Sequence, residues 1–234
     1  MLMRFLTLAF LFLNLSVIFS QEAKLPYPMI AVDSLYREDQ FYFSFSYNTL
    51  LQTPSGVNTN KFSPGFKLGF LRDMPINKRR NKAIAPGLGL SYANYFQNLF
   101  IYKEEGLPVY STNSIDNSYK KNKFEQVFID VPIEFRWRTS VPESHKFWRI
   151  YTGLQLSYLV YSKSIYTDPI SSITVSNNND FNKFQAGVYL VAGNNTWNFY
   201  AYYGLVPIFS SDARVNNERV SMNALHFGMM FYIL

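Results

Sequence analysis

Residues 127–138 read Val-Phe-Ile-Asp-Val-Pro-Ile-Glu-Phe-Arg-Trp-Arg. From Ile129 the odd positions, Val131, Ile133, Phe135 and Trp137 included, are large and apolar. The even positions are Asp130, Pro132, Glu134, Arg136 and Arg138, mostly charged. A period of two sends successive side chains to opposite faces of a β-strand. One face therefore wants hydrocarbon, while the other carries four ionised groups that no ordinary core accepts without partners. A soluble sandwich strand with its polar side in water shows the same alternation, so this stretch alone does not decide between the two.

The pattern recurs. Phe41, Phe43, Phe45 and Tyr47 alternate with Tyr42, Ser44, Ser46 and Asn48 in a first strand over 40–51. Further strands are expected over 64–73, 83–96, 127–138, 147–161, 183–193, 197–209 and 222–234. The connections expected between them are a polar loop over 53–60, a basic link over 73–81, a long hydrophilic loop over 103–126, and a short turn over 139–146. A Ser/Thr/Asn-rich loop over 162–182, a tight turn over 194–196 and a loop over 210–220 complete the series. Eight is an even number, as single-chain bacterial barrels have, and from the second pair onward long and short connections alternate, as exterior loops and periplasmic turns do.

The N-terminus turns alternating strands into a membrane protein. Arg4 precedes a mostly apolar run from Phe5 to Phe19 and a small residue at Ser20, the layout of a cleaved export signal over 1–20. The run is shorter than the roughly 18 to 20 residues that a spanning helix needs. Residues 21–39, with Pro26 and Pro28, read as a periplasmic lead-in, and 40–234 as the barrel. The chain has no cysteine, 22 Phe, 18 Tyr and 3 Trp, and only 16% charged residues. Its net charge of +6 falls to +5 once the signal, with its one Arg and no acid, is removed. The expected class is all-β: an eight-stranded antiparallel transmembrane β-barrel, integral to the bacterial outer membrane, with a filled, polar lumen. Nine of the 11 glycines (Gly65, Gly69, Gly87, Gly89, Gly153, Gly187, Gly193, Gly204, Gly228) lie on the polar rows. Small residues there make room for large ones in a narrow interior, which argues against a solute pore.

Candidate chemistry is sparse. Lys67, Asp130, Glu134, Arg136, Arg138 and Arg149 form an inward charge set, four basic to two acidic. Its expected role is structural, a partnered network bracing the barrel. The sharper alternative is a proton or ion path or an enzyme site, but carboxylates among arginines stay ionised and make poor general acids. The two histidines are His145, in a turn, and His226, on the inner row of the eighth strand. No Gly-x-Ser-x-Gly elbow, phosphate loop, EF-hand or His-x-x-x-His spacing accompanies them. No catalytic residue, cofactor, metal, small-molecule substrate or nucleic-acid partner is expected; a lipid-modifying barrel enzyme is the rival reading that would need His226. Tyr110 and Tyr119 in the long loop offer rings for carbohydrate or peptide stacking, although girdle positions at the membrane interface explain such aromatics more simply. Lys78, Arg79 and Arg80 form a basic turn able to meet a periplasmic partner.

Three strings carry a resemblance: Tyr36-Arg-Glu-Asp-Gln-Phe-Tyr-Phe43, Asn60-Lys-Phe-Ser-Pro-Gly-Phe-Lys-Leu-Gly-Phe-Leu-Arg-Asp-Met-Pro-Ile-Asn77 and Ala83-Ile-Ala-Pro-Gly-Leu-Gly-Leu90. Together with Val131-Pro-Ile-Glu-Phe-Arg-Trp137, they resemble the PorT family of Bacteroidetes outer-membrane proteins, called SprT in gliding bacteria. The resemblance covers nearly the whole mature chain and is strongest over 36–92. It implies a component of the type IX secretion system, with the outer-membrane lipids and other components of that system (the translocon or the periplasmic motor ring) as partners. It carries no functional residue over. An eight-stranded filled barrel is too narrow for folded cargo, so the implied role is accessory or in assembly. The alternative is a general small barrel for adhesion or membrane integrity, acting through the loops 103–126 and 162–182.

Overall fold

Alternation is realised as eight long antiparallel strands. In the computed structural model, which describes residues 39–59, 61–112, 119–139 and 148–233, these are β1 (Gln40–Leu51), β2 (Pro64–Leu71), β3 (Lys82–Phe96), β4 (Lys121–Arg138), β5 (Trp148–Thr167), β6 (Phe184–Asn194), β7 (Trp197–Gly204) and β8 (Asn223–Ile233). Each pairs with the next in sequence, and β8 returns to pair with β1 from Phe41↔Ile233 to Leu51↔Asn223. The sheet is thus closed and has no free edge within the barrel. The export signal over 1–20, all of the lead-in 21–39 but Asp39, the turn 139–146 beyond Thr139, and the middle of the loop 103–126 lie outside the described residues.

The two faces separate as the alternation demands. On β1 the even residues from Gln40 to Leu50 are buried, while Phe41, Phe43, Phe45 and Tyr47 are exposed on the outside. On β4, Asp130, Pro132, Glu134, Arg136 and Arg138 point inward, and Ile129, Val131, Ile133, Phe135 and Trp137 outward. A protein whose charges are buried and whose Phe, Leu and Ile side chains are exposed is solvated by hydrocarbon. On β5 the outward apolar row runs from Trp148 to Tyr158. Ten residues of tilted strand cover about 25 Å, the height of a bilayer's apolar band. Among the described residues no helix is long and apolar enough to cross a membrane.

The larger departures from the expected strand boundaries fall at three places. β4 begins at Lys121 instead of 127, and β5 runs on to Thr167 instead of 161. The two remain paired beyond the apolar band, and a bulge marks the change: Val127 faces Tyr161 and Phe128 faces Leu159, leaving Val160 as the extra residue. Beyond it the inward row of β5 shifts from odd residues to even ones, which hides the continuation from a strict period of two. β7 stops at Gly204 instead of 209. Leu205 and Val206 both donate to the Ala186 carbonyl, and Pro207 has no N–H to extend the ladder.

The long connections are also more ordered than their polar composition suggests. Phe100–Glu104 and Leu107–Ser111 form a hairpin turning on Glu105 and Gly106, both at positive φ (51° and 85°), the geometry that favours glycine in a two-residue hairpin loop. Ser172–Ser176 adds to the outer part of β5, and Arg214–Val215 pairs with Glu218–Arg219. These elements all stand at one end of the barrel. The opposite end holds the starts of β1 and β5, the end of β8, and the short turns 72–81 and 195–196.

Candidate functional site

The lumen is packed in three tiers. At the short-turn end Arg138 makes a two-pronged contact with Asp73, Nη1 and Nη2 each 2.9 Å from a carboxylate oxygen. Arg136 donates Nη1 to the same Asp73 at 3.0 Å and Nε to Glu134 at 2.9 Å. Tyr232 donates its hydroxyl to the other Glu134 oxygen at 3.0 Å. Asp73, Arg136 and Arg138 have no solvent-exposed surface. Arg136 and Arg149 lie over the faces of Tyr151 and Tyr232, 5.1–5.9 Å from the ring centres, where the ring quadrupole favours a cation.

The middle tier is a second, separate set. Lys67 donates to Gln155 Oε1 at 2.8 Å and to the Tyr200 hydroxyl at 2.6 Å, and sits 4.3 Å from the Tyr202 ring centre. Gln155 donates to Ser157 Oγ, which donates to Asp130 at 2.6 Å. The six inward charges expected from sequence are all buried: Glu134, Arg136, Arg138 and Arg149 at the short-turn end, Lys67 and Asp130 in the middle tier. The inward charge set read from sequence omits Asp73, which stands where the expected strand 64–73 meets the basic link 73–81. The signal was present, because Asp73 continues the inward row Gly65, Lys67, Gly69, Leu71, and four bases against two acids called for another acid.

Glycine and tyrosine interlock between the tiers. A Cβ on Gly187 would lie 2.4 Å from the Tyr202 ring, and one on Gly89 would lie 2.1 Å from the Tyr42 hydroxyl. The space left beside Lys67 and His226 is about 20 Å³, room for about one water.

The third tier closes the long-loop end. Tyr95 and His226 share a 2.7 Å hydrogen bond through the phenol oxygen and Nε2, and the imidazole stacks on Tyr202. Above them Phe124, Phe181 and Phe209 pack ring to ring, with centres 4.6–5.7 Å apart. Tyr110 meets Phe209 edge-on, donates its hydroxyl to Asp180 at 2.8 Å and accepts from Asn178 Nδ2 at 2.8 Å. Burial first, and then the Asp180 carboxylate, push the Tyr110 phenol up, keeping it a donor. Tyr110 is therefore a core residue of a folded cap and offers no free ring for stacking, while Tyr119 packs beside Tyr166. His145 lies outside the described residues.

The basic turn sits at the short-turn end. Met74–Pro75 pairs with Ala83–Ile84, and Asn77 bonds both Asn81 and the Lys82 amide across the turn. Lys78 and Arg79 are exposed; Arg80 is half-buried at φ 54°. Asp39 ties the base of this hairpin to β1, accepting from Arg72 Nη1 and the Asp73 amide at 2.8 Å each. Only the distal part of 73–81 is thus open to a partner. Among the described residues no group of His, Cys, Asp and Glu is arranged to hold a metal ion.

The family model "Outer membrane protein beta-barrel domain" matches residues 19–210. No curated protein shows significant similarity to the chain. Two crystal structures of Ail, the attachment invasion locus protein of Yersinia pestis, one in complex with the heparin analogue sucrose octasulfate, are 14% identical. Each alignment covers 84% of this chain and 100% of Ail, with TM-scores of 0.37 and 0.36. With most of its length matched by the family and a hydrocarbon-facing closed barrel to account for the match, the chain belongs to the outer membrane protein β-barrel domain family and is an integral protein of the outer membrane.

Proposed function

We propose that the protein is a non-enzymatic component of the type IX secretion machinery, an accessory or assembly partner and not the cargo pore. The observation that carries this reading is the Asn60–Asn77 string, which resembles the PorT family and runs directly into the basic turn Lys78-Arg79-Arg80. The packed lumen supports the accessory role, since buried side chains fill it and the space beside Lys67 and His226 is only about 20 Å³. It also supports a non-catalytic reading, because His226 is enclosed beside that same space. The exposed Lys78 and Arg79 at the periplasmic end are the groups offered to the translocon or motor ring.

The test is deletion of the gene in its host with complementation in trans, followed by the distribution of C-terminally signalled cargo between cells and medium. Trapped cargo, released by the wild-type gene but not by a Lys78→Glu/Arg79→Glu variant that still inserts, is the expected result. Normal secretion in the deletion strain would overturn the reading. A second reading, a general small barrel for adhesion or membrane integrity, draws support from the folded exterior cap, whose hairpin tips expose Leu107 and Ile170. It predicts altered adhesion or detergent sensitivity with secretion intact.

A further inference from the structure

At the exterior rim, the pairing along β5 is interrupted. β5 pairs with β6 as far as Tyr158↔Phe184, and its outer part pairs with Ser172–Ser176 from Lys163↔Ser176. Between these ladders residues 177–183 lie opposite only 159–162, so the chain bows away from β5. It is pinned at both ends, by the Asn177 amide donating to the Ser162 carbonyl and the Leu159 amide donating to the Lys183 carbonyl, 2.8 Å each. The bow encloses a pocket of about 320 Å³.

The lining is divided by chemistry. Tyr158, Val160 and Tyr161 are the last outward residues of the apolar band; the bulge at Val160 turns two consecutive side chains, Val160 and Tyr161, to the outside. The polar part of the lining includes Asn177, Asn179 and Lys183, all exposed. Lys183 is the one charged residue among those that line the pocket. Asp180, next to Asn179, turns its carboxylate to Tyr110. The Lys183 ammonium and Asn179 amide are engaged by no described side chain. A pocket that joins the outward aromatic residues of the lipid-facing band to an uncompensated cation and amides suits an amphiphile with a sugar and an anionic group at its head. Tyrosine rings stack on sugar faces and amides bond hydroxyls, while an ammonium holds phosphate as a point charge.

We propose that this rim pocket binds the phosphorylated sugar headgroup of an outer-leaflet glycolipid, with Lys183 on the phosphate and Tyr158 and Tyr161 against the sugar and the first part of the acyl chains. The site rests on the membrane placement of the barrel and not on the secretion reading.

The probe is lipid A, a bis-phosphorylated acylated disaccharide, added to the full chain in phospholipid nanodiscs and counted by native mass spectrometry. Wild-type protein is expected to retain one lipid A per barrel. Lys183→Glu should lower retention about tenfold, the loss of one charge-assisted contact, and Tyr161→Ala should lower it measurably. Lys103→Glu, on the exterior hairpin but outside the pocket lining, should leave it unchanged. All variants should keep the heat-modifiable gel mobility of a folded barrel. Retention unchanged in Lys183→Glu overturns the site. Equal loss in Lys103→Glu reduces it to general charge attraction and also overturns it. Equal binding of fully dephosphorylated lipid A overturns the phosphate assignment. Full competition by soluble glucosamine phosphate at the concentration of the lipid would show that the ligand is a soluble phosphosugar and overturn the lipid assignment.

Discussion

At the residue scale, Asp73 neutralises two arginines that have no access to water. Removing one member of such a buried set leaves a charge without its counter-ion and costs about 3–5 kcal/mol. Asp73→Ala should accordingly lower the urea midpoint of the barrel in detergent sharply, whereas Asp39→Ala, at the half-exposed Arg72 pair, should shift it far less. The glycine–tyrosine contacts make a coupled prediction. Gly187→Ala forces its new methyl against Tyr202 and should cost about 1–3 kcal/mol. In a Tyr202→Ala background most of that cost should vanish, so a double-mutant cycle would show strong coupling. Additive costs would mean that the ring does not occupy the space above Gly187. Inward parity made these glycines legible in the sequence. Which tyrosine covers which glycine was not legible, because that depends on strand stagger, and stagger appears only once Gly187 is seen opposite Gly204 and Gln155.

At the element scale, the strands were readable where one face met lipid and the other the lumen, as on β1, whose bounds agree with the sequence reading throughout. Legibility ended where lipid ended. Past Val127, towards Lys121, neither face of β4 borders hydrocarbon, so Asn122, Phe124 and Gln126 are buried while Lys123 and Glu125 are only half-covered, and apolar residues no longer mark one side. The hairpin of 100–111 was missed for a related reason. Its polar Lys103-Glu-Glu-Gly106 reads as part of a hydrophilic loop, although a Glu-Gly pair at positive φ is a turn between two strands. The tip of the β5 extension offers a pH test. Asp168 accepts from the Ser171 amide at 2.6 Å, the Ile170 amide at 2.8 Å and the Ser171 hydroxyl at 3.0 Å, which hold its carboxyl below the ordinary value. A depressed acid contributes order above its unfolded pKa and loses it as pH falls through the folded one. Amide exchange at Ile170 and Ser171 should therefore stay slow at neutral pH and quicken only in acid below the usual carboxylate range. Asp168→Asn should remove most of that pH dependence.

For the whole molecule, the three tiers of described residues fill the lumen with buried side chains. Planar-bilayer recordings should show no conductance steps, and liposomes carrying the protein should not swell in small sugars; steady open channels would contradict the packing of Phe124, Phe181 and Phe209 across the exterior mouth. The closing ladder bears on how the protein is made. β1 is hydrogen-bonded to β8, the strand farthest from it in sequence, over the full span from Phe41 to Leu51. Until β8 arrives, β1 and β7 each present a bare row of amides and carbonyls that lipid cannot satisfy. Contacts between such distant segments also form slowly. Any partly threaded chain is therefore sticky at two edges at once, and the time between synthesis of β1 and docking of β8 is the period in which the cell must shield it from its neighbours.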